Sequence, residues 1–149
     1  MRRAARAIII KDNKLLVTRR DKFGMQYYIL VGGGVDFGES LEQALFRELD
    51  EETGVTVRNP RLVFIEEAGE IYGTQHIYLC EYVDGEPMLR SDSLEAQISA
   101  MGKNLYEPMW LPLADLATVT FRSPALQRAI LHAVNNGWPE KPIDITASH

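Results

Sequence analysis

The chain has 149 residues, of which 46% are hydrophobic and 25% are charged, and its net charge is −5 at pH 7. This composition is typical of one folded domain with a buried core, and it excludes disordered and collagen-like chains. The negative charge argues against a broad duplex nucleic acid interface, which needs a basic face. A small phosphate-bearing partner stays open, because a local cation can outweigh the overall charge.

The first strands are predicted around a hairpin. Residues 5–10 and 14–19 are apolar-rich runs on either side of the turn-prone residues 11–13, a pattern that predicts two paired strands. Residues 27–31 predict a third strand, which leads directly into the three glycines at 32–34. Three glycines after a strand indicate a backbone with unusual dihedral angles, or one that must approach another group closely.

A helix is predicted next, over residues 40–53. Ser40 is a suitable N-cap, and Gln43 follows at the spacing of a capping box. Gly54 stands where a helix often ends in a left-handed residue.

The second half of the chain predicts three more strands, a late helix and a tail. The strands are residues 61–67, 75–83 and 109–113. Ser123 and Pro124 predict the start of a helix that runs to about Asn135, and residues from about 139 predict a C-terminal tail. This order of elements predicts a single mixed α/β domain with a largely antiparallel or mixed β-sheet.

The location of the protein is predicted from its cysteine content and its apolar runs. Cys80 is the only cysteine, so the chain has no disulfide framework or cysteine metal cage, as suits a reducing cytosol. The apolar run at residues 7–10 is too short for a signal core or a membrane span. We therefore expect a cytoplasmic protein with no membrane association.

The sheet-facing side of the predicted helix 40–53 changes from apolar to acidic along its length. At about 100° per residue, its first half carries an apolar stripe made of Leu41, Ala44, Leu45 and Leu49. Farther along, Glu48 and Glu52 point in nearly the same direction, and Glu51 flanks them. Like charges at this spacing repel by about 0.2–0.5 kcal/mol per pair, and acids in the last turn cost roughly 0.3–1 kcal/mol each. Partial burial adds a desolvation cost.

A divalent cation would relieve this charge cost. Arg47 can relieve one carboxylate, but a cation can relieve all three. Mg²⁺ prefers carboxylate, carbonyl and water oxygens, whereas zinc would want cysteine or paired histidines. The glycine loop can offer a carbonyl to the metal and N–H groups to phosphate. Each feature alone also fits a solvated helix end or a plain loop, and it is their combination that favours attack of water on phosphorus.

These residues resemble a known motif. The Nudix box is matched at every defined position by Gly33, then five residues, Glu39, then seven residues, and the run RELDEETGV at residues 47–55. Residues 15–19 resemble the strand that precedes the box in many members, and residues 110–116 resemble a later segment. One departure is Val31, where many relatives have proline; we expect it to alter the stiffness of the loop and not the chemistry.

The resemblance implies an α/β/α sandwich and hydrolysis of a nucleoside diphosphate linked to another moiety. It implies that Glu48, Glu51, Glu52 and the carbonyl of Gly32 bind Mg²⁺, for which Mn²⁺ can substitute. Arg47 would orient the carboxylates by ion pairing and Glu39 would support them. For the catalytic base, Glu48 or Glu52 is the first choice, followed by Glu107 or Glu95 from outside the box.

The substrate and the assembly stay open. Arg19 is a candidate for contact with phosphate or ribose, and Gly33 and Gly34 are candidates for binding phosphate through their N–H groups. A nucleoside triphosphate, a nucleotide sugar, ADP-ribose and a dinucleoside polyphosphate all fit, and homodimers are frequent in the family. The alternatives are a catalytically idle module that senses a nucleotide or binds a protein, and a non-hydrolytic member such as an isomerase.

Several other residues have weaker functional interpretations. Tyr72, Tyr78 and Trp110 could stack on a base, but aromatic residues at strand spacing are more often core residues. His76 is interpreted as structural. Of the adjacent Glu66 and Glu67, at most one can face the metal site, since neighbouring strand residues face opposite ways.

Overall fold

The computed structural model describes residues 2–89, 96, 98, 102 and 104–146. In this part of the chain, eight strands and three helices form an α/β/α sandwich. The strands are β1 (Arg3–Lys11), β2 (Lys14–Lys22), β3 (Met25–Gly34), β4 (Thr56–Glu67), β5 (Thr74–Asp84), β6 (Asn104–Pro112), β7 (Phe121–Arg122) and β8 (Ile143–Asp144). The helices are α1 (Leu41–Glu52), α2 (Gly69–Tyr72) and α3 (Pro124–Asn136), with a short 3₁₀ turn at Leu113–Asp115.

The sheet is mixed, as predicted. Its strand order is β6-β2-β3-β1-β5-β4-β8, and β7 pairs with β3. The pairs β1–β5, β3–β7 and β4–β8 are parallel and the others are antiparallel.

Strand β3 connects two parts of the sheet. Its first half, residues 25–30, pairs with β2, and its last residues, 31–34, pair with β1. Strands β1 and β2 pair with each other only beside their turn, at Ile10–Leu15 and Lys11–Lys14. The two strands therefore diverge away from the turn, and β3 lies between them.

Among the described residues, α1 packs on one face of the sheet and α3 packs on the other. Strand residues alternate between the faces, so Ile8 packs on the α3 side while Ala7 and Ile9 pack on the α1 side. Helix α3 buries Leu126, Ile130 and Ala133 on its side. Helix α1 buries Ala44, Leu45 and Leu49, as the predicted stripe requires.

Helix α1 begins and ends where its sequence predicts. The Gln43 N–H donates to the Ser40 hydroxyl at 3.1 Å, and the Ser40 N–H donates to the Gln43 side chain at 2.8 Å, which completes the capping box. Gly54 has a φ of 69° and its N–H donates to the Leu49 carbonyl at 2.9 Å. These local signals fix the position of the carboxylates on the helix.

Four elements differ from their predictions. Strand β3 runs through the glycines to Gly34 and does not end at 31, because residues 31–34 pair with β1. Strand β4 starts at Thr56 and not at 61, although Asn59 with a φ of 52° and Pro60 lie within it, because its pairing with β5 continues across register shifts. Strand β6 starts at Asn104 and not at 109, because nine of its residues pair with β2. After residue 139, where a tail is predicted, the chain adds β8 alongside Phe64 and Ile65 of β4.

The aromatic residues of the α1 face belong to the core. Tyr78 is buried, and Trp110 packs edge-on against Tyr82 with the ring centres 5.7 Å apart. The interpretation of Tyr78 and Trp110 as core residues is therefore confirmed. Among the described residues, no helix is long and apolar enough to cross a membrane.

Candidate active site

Glu52 lies at the end of α1 with its carboxylate directed into the protein. Its residue surface is 3% exposed, and its oxygens accept hydrogen bonds from the Thr18 hydroxyl at 2.8 Å and from the Gly32 N–H at 3.1 Å. Burial raises the pKa of Glu52 to about 7, and the nearby Arg6 guanidinium and these two hydrogen bonds oppose that rise. A carboxyl group with such a pKa can exchange a proton at neutral pH.

Gly32 brings the strand backbone close to Glu52. Its φ is 131°, in the region that favours glycine, and a Cβ here would collide with the carbonyl of Ala5. The Gly32 carbonyl, which is predicted to bind the metal, lies 3.4 Å from Nη1 of Arg6.

Arg47 connects the end of β3 and the following loop with the acidic end of α1. Its Nε and Nη2 donate to the two oxygens of Glu39 at 2.8 and 3.0 Å, a bidentate ion pair. Its Nη2 also donates to the Gly34 carbonyl at 3.0 Å. Its Nη1 faces Glu48 at 3.0 Å and Glu51 at 3.5 Å. The ion pairing that the sequence predicts for Arg47 is present, but the expectation that it relieves one helix carboxylate is wrong, because it reaches both Glu48 and Glu51.

Glu39 supports this arrangement from the loop. Besides its contacts with Arg47, it accepts a hydrogen bond from the Asp36 N–H at 2.8 Å. The Arg47 side chain and this backbone hydrogen bond lower the pKa of Glu39, so the carboxylate stays charged.

The residues fit a divalent cation. Glu48 and Glu51 converge on one nitrogen of Arg47, which shows that their carboxylates can face a common positive charge. The donors are carboxylate oxygens, which Mg²⁺ prefers. Across the described ranges, no three acidic, histidine or cysteine side chains already form a cage, because Glu52 turns to Thr18 and Gly32 while the other two face Arg47.

Gly33 leaves the space that Glu48 occupies. A Cβ at this position would lie 2.6 Å from the carboxyl carbon of Glu48 and 2.8 Å from both of its oxygens. The absence of a side chain at residue 33 therefore sets the position of this carboxylate.

Gly33→Ala is expected to displace Glu48 and to lower turnover by about 10²-fold, since a displacement of about 1 Å at a reacting centre has effects of this size. Gly34→Ala is the matched comparison, because its Cβ would meet no described atom closer than the Arg2 guanidinium at 3.7 Å. Steady-state kinetics of both variants test the steric argument. Equal losses of activity in the two variants would contradict it.

The remaining predicted residues lie apart from the acidic end of α1, except Glu95, whose position is not described. Arg19 on β2 donates to Glu107 on β6 at 2.9 Å, and this ion pair is partly exposed. Glu95 lies outside the described residues. Glu66 is buried and accepts a hydrogen bond from the Ser123 hydroxyl, whereas Glu67 is exposed, so the two carboxylates do face opposite ways.

A second group of residues was not predicted from the sequence. A cavity of about 310 Å³ is lined by residues of several strands and of the start of α3, and Arg6, Arg20, Arg122 and Tyr72 are among them. One signal was available, because Arg6 interrupts the otherwise apolar residues 4–10 and a charge in a buried strand needs an explanation. Arg6 also connects the cavity with Glu52. Its Nη1 donates to the carbonyls of Leu30 and Gly32, and the Gly32 N–H donates to Glu52.

Comparison with known proteins gives the same family as the motif at residues 33–55. The model of the NUDIX domain family matches residues 1–133. The chain is 28% identical over 126 residues to the NAD-capped RNA hydrolase NudC of Photobacterium profundum, covering 84% of this chain and 47% of that protein. It is 30% identical over 99 residues to an ADP-ribose pyrophosphatase of Methanocaldococcus jannaschii, covering 63% of this chain and 59% of that protein. The chain thus spans about half the length of these relatives.

Solved structures show the same fold. A MutT NUDIX hydrolase from Burkholderia pseudomallei superposes with a TM-score of 0.65 at 23% identity, over 85% of this chain and 94% of that one. An ADP-ribose pyrophosphatase from Streptococcus suis superposes with a TM-score of 0.64 at 20% identity, over 96% of both chains. The family model, the sandwich fold and the acidic end of α1 agree, and the chain belongs to the NUDIX domain family.

Proposed function

We propose that this protein is a Mg²⁺-dependent hydrolase that cleaves a phosphoric anhydride bond in a nucleoside diphosphate linked to another moiety. The observation that carries the proposal is the acidic end of α1. A buried carboxylate, Glu52, lies there beside the glycine strand, and Glu48 and Glu51 converge on Arg47 next to it. A helix end that served only as solvated surface would have no reason to bury Glu52.

In this proposal, Glu48, Glu51, Glu52 and the Gly32 carbonyl would hold the ion. When bound, Mg²⁺ or its substitute Mn²⁺ would supply positive charge for the phosphate oxygens and make water more acidic. Arg47 orients Glu48 and Glu51 through its ion pairs. The N–H groups of Gly33 and Gly34 are the proposed contacts to phosphate, and Arg19 is a proposed contact farther along β2.

For the proton acceptor we propose Glu52 or Glu48. Without an ion, burial raises the pKa of Glu52 to about 7; a bound cation would favour its charged form, which is the form that accepts a proton. Glu107 is engaged by Arg19, so it ranks below the two helix residues. Glu95 keeps its place as a further candidate on the sequence alone.

The substrate class is tested with a panel of nucleotides. Nucleoside triphosphates, nucleotide sugars, ADP-ribose, dinucleoside polyphosphates and NAD-capped RNA are incubated with Mg²⁺, Mn²⁺, or EDTA, and the products are identified. We expect cleavage with either metal and none with EDTA, and the position of the cut names the substrate class. If no compound is cleaved while some bind, the chain is an idle binding module and the proposal is wrong.

We also propose a cytoplasmic location, in keeping with a single buried thiol at Cys80 whose pKa burial raises to about 12. Homodimers are frequent in the family, and the mass in solution, measured by light scattering, decides between a monomer and a homodimer.

A further inference from the structure

Thr18 is a polar side chain in a fully buried stretch of β2. The residues before it, Leu15, Leu16 and Val17, are apolar and fully buried, and so is Thr18 itself. Valine has the same shape as threonine and would fill this position without a polar group, so the packing of β2 does not require the hydroxyl. A buried hydroxyl needs a hydrogen-bond partner, and the partner of this one is a carboxylate of α1.

Two strands hold that carboxylate, which belongs to Glu52. The Thr18 hydroxyl on β2 donates to its Oε1 at 2.8 Å, and the Gly32 N–H on β3 donates to its Oε2 at 3.1 Å. One donor on each oxygen fixes the plane of the carboxylate. Because an ionised carboxylate has about four acceptor sites, each oxygen keeps the capacity to bind a cation as well.

Arg47 orients the other carboxylates of the site but not Glu52. Among the residues that the structure describes, its ion pairs are with Asp36, Glu39, Glu48 and Glu51. Glu52 therefore depends on its own two donors. The Gly32 N–H belongs to the backbone, so Thr18 is the donor whose side chain matters.

The orientation of Glu52 matters because Mg²⁺ tolerates little distortion of its ligands and requires nearly octahedral geometry. A glutamate side chain has several rotatable bonds, and ordering it on binding costs conformational entropy. In this protein the two hydrogen bonds order the side chain without an ion. Loss of a hydrogen-bond partner behind a metal ligand typically weakens metal binding or activity by about 10–100-fold.

We propose that Thr18 is a positioning residue that holds Glu52 in the orientation in which it binds the divalent ion. The inference rests on the proposed function, because it takes Glu52 as a ligand of that ion. It deepens that function by adding a residue of β2 to the helix and glycine residues of the site. Thr18 acts through Glu52 and has no contact of its own with the ion.

The test measures the affinity for Mn²⁺ without substrate. Mn²⁺ is titrated into the full chain, and the free ion is followed by electron paramagnetic resonance. Thr18→Val keeps the shape and removes the hydroxyl, and we expect it to weaken Mn²⁺ binding by about 10–100-fold. Thr18→Ser keeps the hydroxyl and removes a buried methyl group, so its thermal midpoint should fall while its affinity stays close to that of the wild type. A residue that served only packing would not separate affinity from stability in this way.

Thr74→Val is the matched control. The Thr74 hydroxyl on β5 donates to Glu67 at 2.7 Å, which is the same pair of groups, but Glu67 is exposed and is not a proposed metal ligand. We expect this variant to bind Mn²⁺ as the wild type does. If Thr18→Val does not fold, Thr18→Ser and Thr18→Ala are compared instead, since they too differ only in the hydroxyl.

Two failures of the test are distinguishable. Equal affinities of Thr18→Val and Thr74→Val, or of Thr18→Ser and Thr18→Ala, would overturn the role of Thr18, and Mn²⁺ binding by the wild type would still support the proposed function. A wild type that binds no Mn²⁺ would overturn the proposed function, and the role of Thr18 with it.

Discussion

Glu52→Gln is expected to fold normally and to lose about 10²–10⁴-fold in kcat, the range found for loss of a proton-transferring group. Glutamine keeps the shape of the side chain, and its carbonyl can still accept a hydrogen bond from the Thr18 hydroxyl or the Gly32 N–H. It cannot take up a proton or offer a negative oxygen to a metal. Steady-state kinetics with a substrate from the panel, together with thermal unfolding, measure the two effects separately.

The matched control for this variant is Glu42→Gln. Glu42 lies on the same helix but is exposed, in its first turn. We expect its kinetics and thermal unfolding to stay close to the wild type. If Glu52→Gln were as active as this control, Glu52 would have no part in metal binding or proton transfer.

Arg47→Lys is expected to lower turnover by about 10²-fold and to destabilise the fold by about 1–3 kcal/mol. Lysine keeps the positive charge but lacks the planar fork that engages both oxygens of Glu39 and the Gly34 carbonyl. Glu48 and Glu51 would then lose the shared partner that orients them. Kinetics and chemical denaturation of the variant measure both losses.

Arg58→Lys serves as the comparison, because Arg58 forms an exposed ion pair with Glu81 at 2.9 Å and exposed pairs contribute little to stability. Its effect on stability is expected to stay within about 0.5 kcal/mol. Similar losses in both lysine variants would mean that the fork geometry of Arg47 has no special role.

Local features of the site could be predicted from the sequence. The start of α1 at Ser40, its end at Gly54 and the inward direction of Glu52 all follow from capping rules and helical periodicity. Each of these depends only on residues within a few positions of one another. The ion pair of Arg47 with Glu51 is equally local, since it has the i,i+4 spacing of a helix.

The cavity could not be predicted in this way. Arg6, Arg20 and Arg122 are far apart in the sequence, and they meet only because β1 and β2 diverge and β7 pairs with β3. Strand order and the angle between strands depend on the packing of the whole domain. The short β8 was missed for a related reason, because two residues have no detectable periodicity and their pairing with β4 is a long-range contact.

The charge balance around Arg47 has a consequence for the proposed metal ion. Glu39, Glu48 and Glu51 are already neutralised in part by one guanidinium group, so the polypeptide can reach its native state without an ion. On the proposed function, folding and metal loading would be separate events, and chelation would stop turnover without unfolding the protein.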